Sequence, residues 1–164
     1  MTALTANITR PHKSPPGGTH FRALPLIGYT NKAGGDVAHE VYKGSFVFYD
    51  ANDTEGYRRI VAATCAAADT VGGIAIERQS ITSEILSDAQ RYVTVAIDGV
   101  WAFPIGAITI ADVGKDIFLS DDNVAVTAEA GNANLWIGKL ASVDTEFAWV
   151  DIEPACGKLN NPPT

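Results

Sequence analysis

The sequence predicts an all-β protein, either a compact β-sandwich or a partly open β-barrel, with an extended N-terminal arm. Apolar and polar residues alternate in many short runs, and this period of two places one face of each run on a core. Polar turn residues separate the runs at regular spacing, whereas segments with the 3.6-residue period of an amphipathic helix are almost absent. These features together indicate nine or ten short strands.

The longest alternating stretch spans residues 92–105. In its first half, residues 92–97, one face carries Val93, Val95 and Ile97, which is typical of a strand that lies on a core. Asp98 and Gly99 then interrupt the pattern, which resumes over residues 100–105. Because glycine accepts a positive φ angle without steric cost, we predict a bulge or a tight turn at this break.

Two strand pairs are predicted in the second half of the chain. Residues 116–119 and 124–127 flank the polar segment 120–123, which is the pattern of a β-hairpin with a four-residue loop. Residues 135–140 and 147–152 form the second pair. The remaining predicted elements are strands at residues 26–30, 41–49, 57–64 and 72–77, and a helical turn or loop at residues 83–89 with Ser83 as its N-cap.

Three parts are predicted along the chain: an extended arm at residues 1–25, a β domain at residues 26–155 and a flexible tail at residues 156–164. The arm contains four prolines, which exclude a helix or a central strand, so we expect it to be mobile in the isolated monomer. Residues 1–35 hold four basic residues and no acidic one, although the whole chain carries a net charge of −7. A basic arm on an acidic body is typical of an interaction segment.

Few residues suggest catalysis or metal binding. The three histidines, His12, His20 and His39, are too far apart in sequence for a typical metal site. Asp116 with residues 121–122 resembles a carboxylate cluster for calcium, but a solvated hairpin turn is the favoured interpretation. No nucleophile elbow, phosphate loop or dinucleotide fingerprint is present. We therefore predict a protein that is not an enzyme and that has no cofactor and no metal.

Charge and cysteine usage restrict the partners and the compartment. The acidic body disfavours nucleic acid as a general partner, and no apolar run is long enough to span a membrane. Cys65 and Cys156 are predicted to be two reduced thiols rather than a disulfide. The first eight residues lack a signal-peptide pattern, so we expect synthesis in a cytoplasm.

A family resemblance extends over roughly residues 71–152. Four segments occur in a characteristic order: residues 71–77 around Gly-Gly-Ile-Ala, 93–100 ending in Gly-Val, 116–122 ending in Ser-Asp-Asp, and 137–139, which read Ile-Gly-Lys. In this order they resemble a family of capsid decoration (cement) proteins of tailed bacteriophages. Phe118 stands where that family often has tyrosine, which leaves the hairpin prediction unchanged.

The resemblance implies a virion structural protein that binds the outer surface of the capsid and stabilises the shell. The implied partners are the major capsid protein and two further copies of the chain in a homotrimer. The implied location is the virion capsid surface, after synthesis in the bacterial host cytoplasm. Candidate residues for the capsid or subunit interface are Arg10, Lys13, Phe21, Arg22, Leu24, Leu26, Trp101 and Phe103.

Two alternative functions remain open from the sequence. The first is a structural protein of the tail or of head completion, which would bind other virion proteins. The second is a β-sandwich that binds a ligand or carbohydrate, with exposed tryptophans as stacking platforms.

Overall fold

The computed structural model describes ten segments of the chain: residues 5–14, 18–26, 29–30, 36–37, 39–49, 57–59, 70–81, 91–121, 123–127 and 135–152. These segments form fifteen strands and one short 3-10 turn at Ile110–Asp112, which confirms the predicted all-β fold class. In chain order the strands are β1 (His12–Lys13), β2 (Phe21–Leu26), β3 (Tyr29–Thr30), β4 (Asp36–Val37), β5 (His39–Val41), β6 (Phe46–Tyr49), β7 (Tyr57–Arg59), β8 (Thr70–Ala75), β9 (Gln79–Ile81), β10 (Arg91–Ala96), β11 (Gly99–Pro104), β12 (Asp116–Asp121), β13 (Val124–Val126), β14 (Leu135–Val143) and β15 (Phe147–Ile152).

The larger sheet has six strands in the order β1-β11-β15-β14-β12-β13, and all its pairings are antiparallel. Along β15, Ala148, Val150 and Ile152 are buried while the intervening side chains are more exposed, as the period of two predicts. The two strand pairs predicted in this half of the chain are confirmed as β12–β13 and β14–β15.

A second sheet of five strands curls strongly. Each of β10, β2, β7, β6 and β8 pairs with two others, so the strands follow one another around a ring. The shortest strand pairing in the ring is the parallel pairing of β2 with β7, which consists of the single residue pair Leu26 and Tyr57. Two small two-stranded sheets, β3–β4 and β5–β9, complete the described structure.

Two hydrophobic cores follow from this arrangement. The main core lies between the six-stranded sheet and the outer face of the curled sheet, and the second core lies inside the curled sheet. Strand β6 serves both cores, because Phe46 and Phe48 point into the main core while Val47 points into the second. A strand that is buried on both faces needs apolar residues at every position, as β6 has.

The chain passes from the curled sheet to the six-stranded sheet at Asp98 and Gly99. Gly99 has a φ angle of +98°, so the predicted break with a positive φ angle is confirmed. The crossover is held from two sides: the Nε1–H of Trp101 donates to the Asp98 carbonyl at 2.8 Å, and the backbone N–H of His20 donates to the Asp98 carboxylate at 2.8 Å.

Two local predictions are wrong in detail. The predicted strand over residues 41–49 is divided, because a turn separates β5 from β6. The backbone N–H and the hydroxyl of Ser45 both donate to the Tyr42 carbonyl, at 3.1 and 2.6 Å, and this pair of bonds closes the turn. The hairpin loop is also shorter than four residues, because an irregularity after Leu119 lets β12 continue to Asp121.

The N-terminal segment belongs to both sheets. Strand β1 pairs with β11, and β2 pairs with β10 over six residues, so the predicted boundary between residues 25 and 26 falls inside a strand. The prolines do not prevent the N-terminal segment from joining the two sheets, because β1 is an edge strand and β2 pairs with its second neighbour at only one residue pair. The predicted helical turn at residues 83–89, both cysteines and the tail at residues 156–164 lie outside the described residues.

Candidate functional site

Four of the eight predicted interface residues are buried inside the molecule. Leu24 and Leu26 fill the second core, and Trp101 and Phe103 belong to the main core. Their side chains contribute to the packing of the two sheets, and of the four only Trp101 also lines the cleft described below. Their role at an interface stays a prediction, because alternation shows that a strand has an apolar face, but not what covers that face.

Arg10 is also buried, with only 5% of its surface exposed. Its guanidinium donates to the Gly44 carbonyl at 2.6 Å, to the Ala102 carbonyl at 3.3 Å and to Asn123 Oδ1 at 2.5 Å. It also lies over the Phe103 ring, with 4.5 Å between Cζ and the ring centroid. Arg10 thus connects the N-terminal segment to three distant parts of the fold.

Lys13, Phe21 and Arg22 are the predicted interface residues that remain on the surface. Phe21 exposes 55% of its surface, which is unusual for a phenylalanine in a paired strand. Lys13 lies on the Trp149 ring, with 4.4 Å between Nζ and the ring centroid. The structure therefore keeps a basic and partly apolar surface near the start of β2, although with fewer residues than the sequence suggested.

A cleft of about 240 Å³ opens beside Phe21, and we call it the N-terminal cleft. Its apolar walls come from five side chains: Ile8, Phe21, Ile74, Ile76 and Trp101. Its basic residues are Arg10, His12 and Lys43, and no acidic residue lines it. The ring of His12 stacks on Trp101, with centroids 4.6 Å apart and planes 16° from parallel.

The walls of the cleft are fixed by main-chain bonds. The Ile8 N–H donates to the Lys43 carbonyl at 3.0 Å, and the Gly44 N–H donates to the Ala75 carbonyl at 2.7 Å. The Lys43 N–H donates in turn to Asn7 Oδ1 at 3.0 Å. The N-terminal segment is therefore attached along its length to the turn that precedes β6, and the cleft is present before any partner binds.

A second exposed surface follows β11, at residues 104–114, and we call it the apolar loop. Ile105, Ile110 and Val113 are large exposed apolar side chains within it, and Ile110 exposes 71% of its surface. The chain carries no charged residue from Gly99 to Ala111. The alternation alone does not identify this surface, because it predicts Ile105 as a strand position. The uninterrupted lack of charge is the signal that identifies it.

The apolar loop is held rigidly despite its exposure. Asp112 accepts the backbone N–H and the hydroxyl of Thr109 at 2.8 and 2.9 Å, and the ammonium of Lys115 at 2.7 Å. The bond from Lys115, followed by those from Thr109, lowers the pKa of Asp112 from 3.8 to about 2. Ile108 anchors the loop in the main core, and the Gly114 N–H donates to the Leu140 carbonyl at 2.8 Å.

Of the acidic residues considered for calcium, Asp116 has other partners. Asp116 accepts the Lys139 ammonium at 2.9 Å and the Trp136 indole N–H at 3.1 Å, and these bonds lower its pKa. Residue 122 lies outside the described residues. Within the described segments, no group of three or more His, Cys, Asp or Glu side chains is arranged to hold a metal ion.

The tryptophans do not form an open stacking platform for sugars. Trp101 and Trp136 are buried, with 5% and 4% of their surfaces exposed. Trp149 is half-buried, and its indole N–H donates to Asp144 at 2.6 Å while Lys13 covers its ring. That bond, with backbone N–H groups of the same turn, lowers the pKa of Asp144.

Comparison with known proteins adds no identification. The chain matches no family model, and no curated protein or solved structure is significantly similar to it. No helix in the described part of the chain has the length and apolar character needed to cross a membrane.

Proposed function

We propose that this chain is a virion structural protein that binds the outer surface of a tailed-phage capsid as a homotrimer and stabilises the shell. The segments that carry the family resemblance support this proposal, because they are the framework of the fold. In sequence order they provide β8, the passage from β10 to β11, the β12 hairpin strand and the centre of β14. The resemblance thus concerns the packed core of both sheets.

The observation that carries the proposal is the apolar loop. A soluble domain that leaves isoleucines in water on a rigid segment has a surface prepared for another protein. Because Asp112 and Lys115 fix the loop, little conformational entropy is lost when it is buried. Ile108, within the loop, is buried in the main core and anchors the loop there.

We propose that a second copy of the chain covers the apolar loop, and the distribution of charge supports this choice. Each copy carries a net charge of −7, so two copies repel one another across most of their surfaces. Contact through a segment without charged residues from Gly99 to Ala111 reduces this repulsion and buries the exposed isoleucines. In a closed trimer, each copy contributes the loop once and no apolar loop remains open.

Substitution in the apolar loop tests self-association. Ile110→Asp places a charge in the proposed contact, so we expect a trimer of the original chain and a monomer of the variant in sedimentation velocity. Tyr92→Asp is the matched control, because Tyr92 is also exposed, at 58%, but lies on β10 outside the loop. A variant Ile110→Asp that sediments as the original chain does contradicts the proposed contact.

Capsid binding is tested separately with shells assembled from the major capsid protein of the same virus. The purified chain should co-sediment with these shells and raise the temperature at which they rupture. Failure of the folded chain to bind the shells overturns the proposed function. Binding to purified tail or connector assemblies instead would support the alternative, a tail or head-completion protein.

A further inference from the structure

The N-terminal cleft combines apolar walls with positive charge. Ile8, Phe21 and Trp101 form an apolar surface, while Lys43 and His12 lie at the same cleft. We propose that this cleft binds one large apolar side chain of an extended acidic segment of the major capsid protein. This inference rests on the proposed function and names the surface that contacts the shell.

The size of the cleft favours a single side chain over a free ligand. Pockets that enclose a drug-sized molecule measure about 300–1,000 Å³. The volume of the cleft, about 240 Å³, lies below this range and is open beside Phe21. A side chain that projects from a partner's backbone fills such a cleft while the rest of the partner segment remains on the surface.

The charges at the cleft favour an acidic partner. Among the described residues, Lys115 and Lys139 each form an ion pair with an aspartate, whereas no described carboxylate lies within ion-pair distance of Lys43. A partner carboxylate therefore complements this surface, which is locally basic on an acidic molecule.

We expect Phe21 to bury more apolar surface in the contact than the other residues of the cleft. It exposes 55% of its surface at the edge of the cleft, next to the bond between His20 and Asp98 that fixes the start of β2. An apolar side chain in the cleft would cover this ring from the open side. Large aromatic residues in such positions commonly contribute most of the binding energy of an interface.

Two variants of the full chain test the cleft with the shell itself. Phe21→Ser removes one apolar wall, and Lys43→Gln removes a positive charge that has no carboxylate partner among the described residues. Each should weaken binding to undecorated shells at least tenfold. The matched controls are Tyr92→Ser and Lys139→Gln, which remove an exposed aromatic ring and a positive charge outside the cleft, and they should bind within twofold of the original chain. Unchanged circular dichroism spectra and melting temperatures are required of all four variants.

A peptide titration tests the cleft without the shell. The probes are the blocked peptides Ac-Glu-Phe-Glu-amide, Ac-Lys-Phe-Lys-amide and Ac-Glu-Ala-Glu-amide, monitored by the chemical shifts of the Trp101 indole and the Lys43 backbone amide. The first peptide should give saturable shifts, and each of the others should bind at least fivefold more weakly. Equal binding of the three peptides, or no saturable shift, overturns the proposed preference of the cleft.

The two tests separate the possible failures. If the original chain binds shells and both cleft variants bind equally well, the cleft is not the contact, although the proposed function stands. If the original chain binds no shells, the proposed function and the identity of the partner both fail. In that case, the peptide titration still decides whether the cleft binds acidic, aromatic segments.

Discussion

Substitution of Arg10 by methionine tests whether the N-terminal segment is part of the folded core. Methionine occupies a similar volume but donates no hydrogen bond, so the variant loses the bonds to Gly44, Ala102 and Asn123 together. The main contacts of Arg10 lie 34, 92 and 113 residues away in sequence. Their loss should therefore loosen the N-terminal segment from both sheets at once.

The magnitude follows from the two buried carbonyls that lose their donor. Loss of a partner costs a buried polar group about 1–3 kcal/mol, so the carbonyls of Gly44 and Ala102 together cost about 2–6 kcal/mol. Removal of a buried charge returns part of this cost, because the guanidinium no longer has to be desolvated. We expect a net loss of about 3 kcal/mol, or about 6–12 °C in melting temperature for a chain of this size.

Thermal unfolding followed by circular dichroism measures this loss. The variant Arg10→Lys is the control, because lysine keeps the charge but does not reproduce the forked geometry, so its melting temperature should be intermediate. Limited proteolysis should cleave the N-terminal segment of Arg10→Met faster than that of the original chain. A melting temperature within about 2 °C of the original would show that the N-terminal segment does not stabilise the fold.

Two further predictions concern stability. Gly138→Ala should lower the free energy of unfolding in urea by about 3 kcal/mol or more. Gly138 has a φ angle of +151°, and a Cβ atom there would lie 1.9 Å from the Asp151 carbonyl oxygen. An unchanged urea midpoint would contradict the pairing of β14 with β15. Asp112 has a lower pKa in the folded than in the unfolded state, so its contribution is complete above its ordinary value of 3.8 and is lost as the pH falls toward 2. The original chain should therefore lose more stability than Asp112→Asn between pH 4.5 and 2, and parallel pH profiles would contradict this role of Asp112.

A truncation that ends inside β2 does not test binding alone. Removal of residues 1–22 deletes Arg10, β1 and the first two residues of β2, which pair with β10. Such a chain is expected to lose stability as well as any contact with a partner. Point substitutions of the exposed Phe21 and the half-buried Lys43 separate the two effects.

Local patterns were sufficient to predict the main strands in the second half of the chain. The alternation in residues 92–97, the break at Gly99 and the hairpin of β12 and β13 each depend on neighbours within a few residues, and each is present in the structure. Gly138 illustrates the same point, since its place in the Ile-Gly-Lys segment carried part of the resemblance. The close approach of the Asp151 carbonyl gives a physical reason for a glycine there.

The assignment of residues to core or surface could not be predicted, because it depends on contacts between sheets. Trp101 and Phe103 are apolar on a strand, which suits a core and an interface equally well. Arg10 lies among prolines and basic residues, and nothing in that segment indicates a hydrogen bond to residue 123. Ile110 is exposed only because the rigid turn at Thr109 and Asp112 directs it away from the core.

A density map of the virion of the same virus tests whether the chain decorates the capsid. We expect density for the six-stranded sheet and the curled sheet on the outer surface of the shell. Three copies should surround each occupied three-fold or quasi-three-fold position, with the apolar loops facing one another. Density for this fold in the tail or connector, or its absence from the outer surface of the shell, would show that the chain is not a decoration protein.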